Sequence, residues 1–132
     1  MIRSKRISRI VLAALFAFAG TMHFVIPASY ERIMPPWVPA HRAMVLVSGA
    51  CEIAGGLGLL VPRLRRAAGI GLIALLIAVW PANLQMLLNA RVAHQPAWAQ
   101  VLLLLRLPLQ IVLIGWVWLA SWTNTDTPPS TT

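Results

Sequence analysis

Apolar positions fall into four long runs along this chain, separated by short stretches that hold prolines and basic residues. The first runs from about Ile7 to Ile26 and stops at Pro27. The second runs from about Ala43 to Val61 and stops at Pro62, the third from about Ala67 to Asn89, and the fourth from about Trp98 to Trp122. Crossing a bilayer takes roughly 20 mostly apolar residues. All four runs meet that length, the second only just. Lipid offers a backbone no water, and a helix satisfies its own N–H and C=O groups. The expected fold class is therefore all-α, a four-transmembrane-helix bundle. Residues 1–122 form the membrane domain, and the polar tail TNTDTPPSTT, residues 123–132, is expected to be disordered.

Composition supports the bilayer. Hydrophobic residues make up 59 % of the chain and charged ones 11 %, against about a quarter charged in a soluble domain. The net charge of +8 would suggest nucleic acid in a soluble protein. Here the basic residues flank apolar runs, which reads as topology and contact with anionic lipid, and no nucleic-acid partner is expected. Arg3, Lys5, Arg6, Arg9, Arg63, Arg65 and Arg66 fall on one side, and Arg32, Arg42 and Arg91 on the other. That bias puts both termini in the cytoplasm of a multi-pass inner (plasma) membrane protein. Trp37 and Trp98 then belong to the outer aromatic belt, Trp118 and Trp122 to the inner one. The start, MIRSKRISRIVLAALFAFAG, also has the look of a signal peptide. Its apolar run continues through Met22, Phe24, Val25 and Ile26, long enough to span, so the first helix is read as uncleaved. A single cysteine, Cys51, gives no disulfide and no zinc spacing within one chain. It is read as a small packing residue.

The loop ASYERIMPPWVPAHR, residues 28–42, is unusually apolar. Ser29 is placed to cap one or two helical turns through Met34, after which Pro35, Pro36 and Pro39 predict an extended path. Tyr30, Ile33, Met34 and Trp37 suit either a segment lying in the headgroup layer or a lid over the outer mouth of the bundle.

Chemistry concentrates in the outer half of the runs. Glu52 stands inside GACEIAGG, and Arg106 inside LLLLRLPLQ. Each is about nine residues below its helix's outer end, roughly 13 Å deep. Opposite charges at one depth predict a Glu52–Arg106 pair, since either alone is costly in a bilayer. His23 lies near the end of the first helix. Asn83, Gln85 and Asn89 lie in the third, where Asn83 and Gln85 share a face only if Pro81 distorts the turn. Gln110 follows Arg106 by four residues and so shares its face. His23, Glu52, Asn83, Gln85, Arg106 and Gln110 are the candidates for a ligand or proton pocket, with no catalytic role assigned. Pro35, Pro36, Trp37 and Pro39 form the structural loop. Gly55 and Gly56 leave space one turn below Glu52, for a neighbouring helix or for a ligand. The same residues also fit a structural clasp that fixes helix order.

GTMHFVIPASYERIMPPWVP, SGACEIAGGLGLLVPRLRRAAGIGLIALL and VWPANLQM resemble the DoxX family of small bacterial membrane proteins, over about residues 10–122. Gly20, His23, Pro27, Pro35, Pro36, Pro39, Gly49, Glu52, Gly56, Pro62, Gly69, Pro81, Ala82 and Asn83 carry the resemblance; Arg106 is placed by depth alone. The resemblance implies a four-helix membrane bundle, and in some relatives association with membrane oxidoreductase complexes. Two functions are expected. One is a redox-linked subunit that binds quinone, with no intrinsic cofactor. The chain shows no haem, flavin or iron–sulfur motif, and no metal site is expected, so an oxidoreductase partner subunit would supply electrons. The other is a non-catalytic module that binds lipid or stabilises a partner protein. A homo-oligomer fits either.

Overall fold

The computed structural model describes residues 2–32 and 34–122. Ile33 and the tail from residue 123 lie outside the described residues. Five helices follow in order: α1 Ile2–Val25, α2 Pro27–Arg32, α3 His41–Gly58, α4 Arg65–Val92 and α5 Ala97–Trp122. The fold is all-α. Three helices are long and apolar enough to cross a membrane: α1 from Arg3, α4 and α5. The second expected span falls short of that measure. Helix α3 has 18 residues, opens on His41 and Arg42, and carries Glu52 at its middle.

Packing runs in a ring. Helix α1 lies along α3, α3 against α4, and α4 along α5. Helix α5 returns to α1, while α3 and α5 do not touch. The buried stripe of α1, Arg9, Leu12, Phe16, Gly20 and His23, repeats at three and four residues, one face of a helix. Val45, Gly49, Glu52 and Gly56 form the matching stripe of α3. Glycine lets the two backbones approach closely. A Cβ on Gly49 would lie 2.6 Å from His23 Cβ and 2.8 Å from the Gly20 carbonyl oxygen. The space below Glu52 is taken by neighbouring helices. A Cβ on Gly55 would meet Leu72 at 2.6 Å, and one on Gly56 would meet Phe16 at 3.0 Å.

The two ends of the bundle differ. We call the end with the α1 N-terminus the base, and the end with α2 the mouth. The apolar core, Leu12, Phe16, Leu59, Leu72, Leu76, Val117 and Ala120, sits toward the base. There Arg9 Nε–H donates to the Ala120 carbonyl at 2.9 Å, and Arg65 Nε–H donates to the Leu59 carbonyl at 3.1 Å. Both are buried. Each places a cation at the C-terminus of a helix, where free carbonyls carry partial negative charge. These arginines thus tie helix ends together. Trp118 and Trp122 stack at this end, centroids 4.1 Å apart, whereas Trp37 and Trp98 lie exposed at the mouth.

The loop differs from expectation in two ways. Helix α2 starts at Pro27, not after Ser29; proline suits a first helical position because its missing N–H would go unused there. The prolines then close a turn where an extended path was expected: Val38 N–H donates to the Pro35 carbonyl at 3.1 Å, with Pro36 at the position a β-turn favours. His41 Nε2 donates to the same carbonyl at 3.2 Å. Ala40, at the start of α3, has φ 49°.

Candidate functional site

Helices α1 and α3 bring His23 and Glu52 together under α2. The Gly20–Gly49 approach sets their separation, because each polar residue lies three positions after its helix's glycine. His23 Nδ1 lies 2.9 Å from the Val45 carbonyl oxygen. A carbonyl only accepts, so Nδ1 carries a proton. The other nitrogen, Nε2, faces Glu52 Oε2 at 3.5 Å. Both residues are buried, Glu52 at 8 % exposure, and Glu52 Oε2 makes no hydrogen bond among the described residues. With Nδ1 committed, one proton serves the Nε2–Oε2 gap. It sits on imidazole, giving an ion pair, or on the carboxyl, giving a neutral pair. The pair can therefore hold a proton and pass it on.

Tyr30 covers this pair. Its ring lies over the His23 ring, centroids 4.1 Å apart. Burial pushes the Tyr30 phenol above its usual range, the Glu52 carboxylate adds to that, and the Arg106 guanidinium opposes it. Of the residues expected to suit a headgroup segment or a lid, Tyr30 on α2 is thus one that meets His23. The other end of the loop is open: Pro35 is buried, while Pro36, Trp37 and Pro39 are exposed.

The expected Glu52–Arg106 pair does not form. Glu52 faces His23, and exposed Arg106 donates from Nη1 to Met86 Sδ at 3.8 Å. The reason is helix order, since α3 and α5 do not touch. Arg106 and Gln110 also part, one exposed and the other buried, with Pro108 between them inside α5. Gln110 accepts from Asn83 Nδ2 at 2.6 Å and donates to the Leu76 carbonyl. It therefore bridges α4 across Pro81, where the helix lacks an internal N–H donor. Gln85 turns away and donates to Asn89 at 2.9 Å; Pro81 does not bring it to the face of Asn83. Cys51, expected to pack, is exposed.

Of the six pocket candidates, then, the structure brings His23 and Glu52 together, and Arg106 is near enough to influence them electrostatically. Asn83 and Gln110 splint α4, and Gln85 stands outside. Tyr30 was missed as a site residue. Its signal was an aromatic ring five residues before the proline pair. A surface groove of about 470 Å³ lies elsewhere, between α4 and α5, and shares no lining residue with the pair.

No curated protein and no solved structure matches this chain. One family model does, over residues 12–121, a span that holds Gly20, Gly49, His23, Glu52 and the α4 splint. The chain belongs to the family described as a domain of unknown function, DUF8561.

Proposed function

We propose that this protein is a multi-pass inner-membrane subunit that holds the head group of a quinone at the mouth of the bundle and exchanges a proton with it through His23 and Glu52. In this reading α3 crosses the membrane with α1, α4 and α5. Both termini are cytoplasmic and the mouth faces outward. Packing of α3 between α1 and α4 supports its depth, and the arginines at the base support the orientation. The single observation that carries the reading is Glu52 Oε2, buried, in no hydrogen bond among the described residues, and faced by His23 Nε2 at 3.5 Å. A buried acceptor that makes no hydrogen bond costs about 1–3 kcal/mol, and a quinol hydroxyl that donates to it removes that cost. Tyr30 would cap the head group, and Arg106 would balance charge from the far wall. The separation of α3 from α5 gives a route of entry. Electrons would come from an oxidoreductase partner subunit, as the likeness to the DoxX family suggests.

The test is extraction of small molecules from the protein purified in mild detergent, by mass spectrometry, beside Glu52→Gln. A stoichiometric quinone in the parent, absent from an equally folded variant, supports the reading. Equal folding with only bulk lipid in both overturns it.

A second reading is favoured by the filled space at Gly55 and Gly56. There the acid is a structural clasp in a non-catalytic module that binds lipid or stabilises a partner protein. Its clasp joins Glu52 to His23, not to Arg106. It requires that His23→Gln and Glu52→Gln each impair folding, and that the double change restore it.

A further inference from the structure

The groove between α4 and α5 at the mouth has a layered lining. Its upper rim holds Arg91, His94 and Gln100; its floor holds Leu87, Val101 and Leu104. No lining residue is acidic. From Ala97 to Leu104 the wall of α5 descends about 10 Å. The rim lies at the level of Trp98, which is 69 % exposed in the same turn of α5. Exposed tryptophan marks the headgroup layer of a bilayer. Cation and amide therefore stand at headgroup depth, and branched apolar side chains stand at acyl-chain depth directly beneath them.

The backbone at the rim is held firmly. Helix α4 ends in a paired cap: His94 N–H donates to the Arg91 carbonyl at 3.1 Å, and Gln95 N–H to the Ala90 carbonyl at 3.0 Å. Gln100 Nε2 donates to the Gln95 carbonyl at 2.8 Å. The rim is thus pre-set before anything binds, and Arg91 projects from it as an exposed cation.

We propose that this groove is a site for one anionic phospholipid, its phosphate on Arg91 and His94 and an acyl chain along Leu87, Val101 and Leu104. The site is separate from the His23–Glu52 pair and does not depend on its function. Charge selects the headgroup, and the apolar floor makes a free phosphate a poor substitute.

The test is native mass spectrometry of the full chain in mild detergent. Phosphatidylglycerol, phosphatidylcholine of the same acyl chains, or inorganic phosphate is added in separate arms. Arg91→Gln, Leu104→Trp and Arg42→Gln are compared with the parent, each checked for unchanged thermal unfolding. Arg42 is an exposed arginine at the same end, outside the groove, and serves as the control. One retained phosphatidylglycerol is expected in the parent and in Arg42→Gln. Retention should fall about fivefold in Arg91→Gln, the worth of one basic residue beside an anionic headgroup. It should fall also in Leu104→Trp, which fills the floor. Equal retention of both lipids, or loss in Arg42→Gln equal to that in Arg91→Gln, overturns the proposal. Phosphate that displaces phosphatidylglycerol at similar concentration overturns the lipid assignment.

Discussion

At the base, the buried polar side chains Arg9, Arg65 and Ser121 each reach a carbonyl. At the mouth, Glu52 keeps a buried oxygen that faces His23 Nε2 at 3.5 Å but makes no hydrogen bond among the described residues. The base also holds the apolar core, whereas the mouth holds a histidine, a carboxyl and a tyrosine. Both ends use the same device to bring helices close: glycine at Gly20 and Gly49 toward the mouth, and Gly58 and Gly69 toward the base. What differs is what the close approach serves. At the base it completes pairing, and at the mouth it presents an incomplete pair.

The largest effect should come where the mouth is as unyielding as the base. Gly49→Val would drive a Cβ against His23 Cβ and the Gly20 backbone, so α1 and α3 must part. Overpacking of this kind costs roughly 1–3 kcal/mol and occasionally more, and here the obstruction is partly backbone. Unfolding followed in detergent should show loss at the upper end of that range. A loss near zero would mean that the seam is loose, and that His23 and Glu52 are not held by it.

Arg9→Met should follow, with a loss of roughly 1.5–3 kcal/mol, the worth of a hydrogen bond from a charged group. It removes the donor to the Ala120 carbonyl and keeps most of the aliphatic bulk. Gln110→Leu should lose less, about 1 kcal/mol, because hydrogen bonds inside membrane proteins average about 0.6 kcal/mol each and Gln110 makes two. If Gln110→Leu exceeded Arg9→Met in the same unfolding assay, the arginine ties at the base would not be the firmest polar contacts of the bundle.

These contrasts were partly legible in the chain. Three spans and the all-α class follow from run length alone. Glu52 stood out because a carboxyl in an apolar run is costly. Its partner did not follow, because equal depth on two helices says nothing about which helices touch. A better signal lay in spacing: Gly20 with His23 and Gly49 with Glu52 repeat one pattern on two successive long helices, and such neighbours usually pack. Arg9 was legible too. It falls on the stripe of Leu12, Phe16 and Gly20, yet charge bias alone explained it as a topology signal. Tyr30 was legible as one of the apolar residues of a headgroup segment or lid, but nothing in the chain singled it out to meet His23.

Glu52→Gln should change stability by less than about 1 kcal/mol. The amide keeps the volume, removes a charge from a buried site, and can donate to Nε2 of His23. A larger loss would make Glu52 structural, like the arginines of the base, and would remove the distinction between the two ends.

The smallest effect should be a gain. The non-glycine residues with positive φ among those described are Ala40 and His94, φ 49° and 50°, and both lie at the mouth. A side chain in that region costs about 1–2 kcal/mol. Glycine relieves the strain and gives back part of it through the freedom of the unfolded chain, about 0.4–1 kcal/mol. His94→Gly should therefore stabilise by roughly half a kcal/mol, seen as a small upward shift of the unfolding midpoint. His94 also sits on the rim of the lipid groove, so the same variant should retain phosphatidylglycerol less well than the parent. Stability gained with retention lost would show that the mouth keeps a residue its backbone disfavours for the sake of what that residue binds. Stability gained with retention intact would leave His94 as strain alone, and Arg91 would carry the headgroup by itself.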